Sequence, residues 1–224
     1  MAYLSAEERR QSIVNAAVEV IAREGLARAT TRRIADRAQA PLGSLHYCFR
    51  NKQELIQLVA DQGAAMLERS FDDVPDDLGF EQSLRASVDA LWRWVRDNVG
   101  LQLALMELAM WRIRERESDD DLYVMWNRFG GDLLREHLER GIANDGVQPQ
   151  IPLDEIVRFV NHRFDGLVFE YAASLDDVAC QRQMDLLADA MVVLAVPGGR
   201  ASTPRAAAPR RAAARRRRRA AARA

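Results

Sequence analysis

Cysteine is nearly missing from this chain of 224 residues, with two in all. Cys48 and Cys180 stand too far apart for a metal-ligand spacing and are too few for a disulfide framework, which fits a reducing setting. The three histidines, His46, His137 and His162, are widely separated. There is no glycine-rich phosphate loop, no HExxH and no nucleophile elbow. An enzyme is therefore not expected, nor a metal or cofactor. No segment approaches 18 uninterrupted apolar residues, and the first residues, MAYLSAEERRQ, hold no apolar core of a signal peptide. A cytoplasmic protein with no membrane span is the expectation. No alternation of apolar and polar residues suggests a strand, and glycine and proline are sparse.

What the chain does hold is helix-forming: 48% of it is apolar, with four tryptophans among many leucines and alanines. Its net charge of -1 conceals a strong asymmetry. Residues 1–55 carry nine basic and six acidic side chains, residues 56–199 carry 13 and 27, and residues 200–224 carry ten arginines and no acid. A basic head, an acidic body and a basic tail point to a polyanion met at one end of the fold.

Helical spacing begins behind Ser5, a cap with Glu8 three residues on, and continues through Ile13, Val14, Ala17, Val18 and Ile21 to a stop at Gly25. Thr30 or Thr31 caps a short helix through Ile34, Ala35 and Ala38. The run QAPLG interrupts, and a third helix extends from Pro41 or Leu42 to Cys48. Asn51 caps a longer one from Lys52 to Phe71. After a linker, DDVPDDLG at 72–79, five further helices are expected over 80–98, 101–116, 119–142, 153–174 and 177–195. The fold class is all-α, about nine helices. A three-helix DNA-binding head over 1–51 precedes a helical regulatory and dimerisation body over 52–196. The Arg/Ala-rich remainder, 197–224, has no large apolar residue and is read as disordered.

Residues 31–48 have the outline of a helix-turn-helix, whose second helix enters the major groove. A tip of Pro41, Leu42, Gly43 and Ser44 is small enough for close approach to bases. His46 and Tyr47 follow one turn on, within reach of phosphate or base edges. Thr31, Arg32, Arg33 and Lys52 stand at the starts of neighbouring helices, where free N–H groups favour phosphate. Phe49 is the apolar end of the unit. A solvated basic face on an ordinary three-helix packing has the same local features, so both readings stand at this point.

The stretch ATTRRIADRAQAPLGSLHYCFRNKQELI resembles the N-terminal domain of TetR-type transcriptional regulators. The resemblance runs over residues 10–56. It rests on the helix ending at Gly25, the Thr30-Thr31 pair and Ile34-Ala35. The small-residue turn into Gly43, the aromatic cluster from Leu45 to Phe49, and Lys52 ahead of Glu54-Leu55 complete it. Where the family usually has Tyr, His, Tyr, Phe, this chain has His46, Tyr47, Cys48 and Phe49. His46 thus takes the position of a phosphate-binding tyrosine. Leu42 stands at a position the family often fills with a polar or small residue, and as an apolar side chain it suits a thymine methyl.

The resemblance also implies a ligand-binding body and a homodimer through the helices at 153–174 and 177–195, reading a palindromic operator. Both helices carry apolar stripes, which intramolecular core would equally explain. The expected wall of a pocket for a small apolar or aromatic effector is Trp92, Met106, Met110, Trp111, Met125, Trp126 and Phe129, with His162 as a polar contact. Residues of these types at helical spacing also serve as plain core. Repression relieved by the effector is the family precedent. The alternative is a nonspecific, nucleoid-type DNA-binding protein that uses the arginine tail.

Overall fold

The computed structural model describes residues 5–115 and 122–200, without the side chains at positions 46, 52, 112, 115 and 122–128. All its regular structure is helical: α1 (Ala6–Glu24), a single 3-10 turn (Leu26–Arg28), α2 (Thr31–Ala38), α3 (Leu42–Cys48) and α4 (Lys52–Phe71). Then come α5 (Phe80–Asp97), α6 (Val99–Glu115), α7 (Leu122–Asp145), α8 (Leu153–Ser174) and α9 (Asp177–Ala195). The all-α expectation of about nine helices holds for the described residues.

Local chemistry sets the first boundaries. The Ser5 hydroxyl accepts the Glu8 amide at 3.1 Å, and the Glu8 carboxylate accepts the Ser5 amide at 2.8 Å. That reciprocal pair satisfies two of the amides a helix start leaves open. Gly25 ends α1 at φ 80, a conformation that side chains avoid, and returns its amide to the Ile21 carbonyl. Asn51 caps α4 by accepting the Glu54 amide at 2.8 Å.

One cluster of buried residues runs from Ile13 to Val196. In the head, α1 is the hub, packed on α2, α3, α4 and the 3-10 turn. In the body that role falls to α5, which packs on α4, α7, α8 and α9. Its Trp92 and Trp94 are 1% and 2% exposed. Two elements join the halves: α4 continues from the head into the body, and α6 lies along α1 and the 3-10 turn.

The 72–79 stretch, expected as a linker, is tied down. Val74 is buried, and the Asn144 side chain donates to the carbonyls of Asp76 and Leu78 at 2.7 and 2.8 Å. Arg140 pairs with Asp76. The arginine-rich tail lies outside the described residues from position 201 on.

Candidate nucleic-acid interface

The reading head is assembled by a small number of bonds. The Thr30 hydroxyl accepts the Arg33 amide at 3.3 Å, which starts α2. Ile34 and Ala35 turn inward at 1% and 2% exposure, leaving Thr31, Arg32 and Arg33 outside. Arg33 and Arg37 are paired with Glu24 and Glu19, so both hold α2 against α1. Arg32 makes no ion pair among the described residues and keeps its charge for solvent or a partner. Gln39 then takes the left-handed conformation at φ 52, and the Ala40 amide returns to the Ala35 carbonyl at 3.0 Å. Pro41 follows as the N-cap of α3, where it has no amide to leave unsatisfied.

The seven residues of α3 divide cleanly. Leu45, 2% exposed, and Phe49 beyond its end, at 5%, point into the core. Leu42 and Tyr47 point out, at 44% and 81% exposure. A β-carbon at Gly43 would meet open space, so the packing of the chain does not require glycine there. Pro41 is exposed and Ser44 half-buried. The side chains of His46 and Lys52 lie outside the described residues. An apolar group, a phenol and an open backbone on one face are what base edges and phosphates can meet.

Two residues outside the expected set position this face. The Arg10 guanidinium lies 5.3 Å from the centre of the Phe49 ring, and its Nη2 is 3.4 Å from Glu54 Oε1. The other Glu54 oxygen accepts the Arg50 amide at 2.8 Å. In the sequence the only signal was Glu54 three residues after Asn51; nothing there pointed to Arg10.

In the body, the described side chains among the eight expected to wall a pocket are dispersed. Trp92 packs edge-on against Tyr171, centroids 5.0 Å apart, as core between α5 and α8. Met106, Trp111 and Phe129 are half-buried against the core cluster. Met110 is 49% exposed, and His162 stands on the outside of α8. Both side chains face solvent in the single chain. The cause for Met110 is α6 itself, apolar nearly all round, so that its sequence did not reveal its buried face. Met125 and Trp126 lie among the side chains not described. The sequence pointed to neither Ser87 nor Gln102, whose Oγ and Oε1 are buried with no hydrogen-bond partner among the described residues. Among the described residues no group of His, Cys, Asp and Glu is placed to hold a metal ion, and no described helix is long and apolar enough to cross a membrane.

A basic three-helix head with an exposed outer face, set on a larger helical body, is the architecture of a DNA-binding transcriptional regulator. The model of the tetR family of bacterial regulatory proteins matches residues 13–59. The nicotine-responsive transcriptional repressor HdnoR of Paenarthrobacter nicotinovorans is 30% identical over 190 residues, covering 84% of this chain and 95% of that one. The transcriptional regulator SrpR of Pseudomonas putida is 38% identical over 165 residues, 73% of each. The chain belongs to the TetR family. Among solved structures, a TetR transcription regulator from Haloarcula marismortui superposes with a TM-score of 0.69 at 17% identity, over 84% of this chain and 99% of that one. SmeT, the repressor of the Stenotrophomonas maltophilia multidrug efflux pump SmeDEF, does so at 0.61 and 19%, over 89% and 97%. These two likenesses concern the fold.

Proposed function

We propose that this protein is a ligand-responsive repressor that binds a palindromic operator as a homodimer and leaves it when a small apolar or aromatic effector binds. The observation that carries the reading is the outward face of α3. Leu42 and Tyr47 are large, exposed and unused by the fold, beside the unpaired Arg32. In this reading 1–51 is the reading head and 52–196 the regulatory body. Thr31, Arg32, Arg33, Pro41, Leu42, Gly43, Ser44, His46, Tyr47 and Lys52 form the DNA contact.

The partner we infer is a second copy. Phe159 and Phe169, 49% and 60% exposed, lie along one face of α8 that also bears His162 and Gly166. On α9, Val178, Leu186 and Val193 recur at helical spacing with exposures of 63%, 55% and 49%. Two adjacent apolar stripes of this length suit a four-helix bundle with a twin. Two-fold symmetry then sets the two α3 helices about one turn of DNA apart.

The effector class is supported by the naming of HdnoR as nicotine-responsive and by the aromatic content of the body. The buried Ser87 hydroxyl and Gln102 carbonyl supply polar contacts for such a molecule inside α5 and α6. The mechanism is a population shift: the effector favours a head spacing that the operator disfavours. The arginine tail adds nonspecific phosphate attraction in this scheme.

The test is selection of genomic fragments by the full chain, followed by anisotropy titration of an enriched duplex against a scrambled one over a salt series. Strong preference for a palindromic duplex supports the reading. Equal, steeply salt-dependent binding to both duplexes favours the nucleoid-type alternative. Light scattering of Phe169→Asp checks the dimer, which this variant is expected to split.

A further inference from the structure

A cleft of about 500 Å³ lies where head and body meet. It is lined by the Gly25–Ala27 turn, by Gln53 and Ile56 of α4, and by α6. From α6 it receives Glu107, Trp111 and Arg114, spaced i, i+4 and i+7 and therefore on one helix face. None of the residues named for the effector wall, Trp111 excepted, lines it.

Glu107 is the unusual member. It is half-buried, yet its carboxylate makes no ion pair or hydrogen bond among the described residues. Its Oε2 reaches to 3.7 Å from where a β-carbon on Gly25 would stand, at the C-terminal end of α1. That end of a helix carries partial negative charge from its carbonyls. A carboxylate and a helix C-terminus therefore face the same space. Arg23 and Arg28, the exposed cations on the adjoining turns, do not pair with Glu107. Arg114 lies two turns further along α6, about 10 Å away by helical rise. Trp111 is one turn from Glu107, about 6 Å along the axis, and offers an indole to the cleft.

We infer that this cleft is a second effector site, for an organic amine carried on a flat aromatic body. The ammonium group sits at Glu107 and the α1 terminus, and the ring lies against the Trp111 indole, where aromatic contact adds to apolar burial. An acceptor at the far end of the molecule meets Arg114. Because the cleft is bounded by α1, α4 and α6 together, an occupant bears on the angle between head and body. The inference goes beyond the effector reading above, which places a ligand inside the body.

The experiment uses the full chain and calorimetric titration with tryptamine and with tryptophol, its neutral isostere, up to about 10 mM to cover weak fragments. Tryptamine is expected to bind, and tryptophol to bind at least about tenfold more weakly. Glu107→Gln is expected to remove that preference, and Trp111→Ala to weaken tryptamine further, with thermal melts showing both variants folded. No tryptamine binding, or equal binding by wild type and Glu107→Gln, overturns the site. Operator affinity is then measured with and without saturating tryptamine. A change of about threefold or more is expected, and an unchanged value overturns the effector role. Failure of the unliganded chain to prefer any operator would instead defeat the repressor reading and leave the amine site standing.

Discussion

Arg10 of α1 reaches Glu54 of α4 across 44 residues of sequence, Nη2 to Oε1 at 3.4 Å, while its guanidinium covers Phe49. The contact closes the head behind α3. The two partners are a third exposed, so the ion pair itself is worth little. Glu54 matters more through its second oxygen, which holds the Arg50 amide at the start of α4. Glu54→Ala should therefore cost about 1–2 kcal/mol and Arg10→Met less than about 1 kcal/mol. Urea unfolding of the two variants measures the difference, and equal losses would contradict the ranking.

The outer face of α3 separates binding from stability. Tyr47→Ala and Leu42→Ala remove side chains that the fold does not use, so melting should change by no more than about 0.5 kcal/mol. Operator affinity should fall by about tenfold or more for each. Leu45→Ala, three residues from Leu42 and turned inward, should do the reverse and cost about 2–5 kcal/mol of stability. Anisotropy titrations beside thermal melts test the contrast.

At the joint of α5 and α7, Asp145 Oδ2 accepts the Phe80 amide at 2.7 Å. A β-carbon on Gly79 would stand 2.4 Å from that same oxygen. The backbone of Gly79, at φ -75 and ψ 172, suits any residue, so the conflict is steric alone. Gly79→Ala should destabilise by about 1–2 kcal/mol, and Asp145→Ala by a similar amount through the uncapped amide. In the double variant the 2.4 Å clash disappears with the carboxylate, leaving only the β-carbon of residue 145 at 3.3 Å, a contact that a small shift relieves. Its loss should therefore be smaller than the sum of the two single losses, a coupling that chemical denaturation of all four proteins can measure.

Burial, followed by its hydrogen bond to Asp177, pushes the Tyr171 phenol up to about 12. The ordinary value of 10 applies when the chain is unfolded. A raised pKa on a group that is neutral when protonated stabilises the fold fully below pH 10. That contribution is lost as pH rises from about 10 through 12. Stability should fall across this window in the wild type and less steeply in Tyr171→Phe. Ultraviolet titration should show one fewer phenol ionising at pH 11 in the folded wild type than after unfolding.

Much of the local structure was legible because it is decided locally. Ser5 with Glu8, Gly25, and Asn51 with Glu54 are boundary signals that act within four residues; α1 begins and ends, and α4 begins, where those residues predict. The spans expected for α8 and α9, 153–174 and 177–195, are the spans observed. Pro152 starts the first of them, and Asp176 caps the second by accepting the Ala179 amide. The end of α7 shows the limit. Expected at 142, the helix continues to Asp145, a residue engaged by both Phe80 and Val147.

What the sequence determined by itself is therefore the set of helices, the basic head, and the family that residues 10–56 resemble. Caps, turns and periodic apolar stripes are short-range instructions and survive without a fold. Tertiary structure alone decided which face of α6 is buried, since Leu101, Leu105 and Leu108 turn inward while Met110 and Ile113 remain outside on a helix apolar nearly all round. It also brought Glu107 and Trp111 to the Gly25 turn, more than 80 residues away in the chain. Those placements depend on how α6 packs along α1, and that packing is settled by the shape of both helices at once.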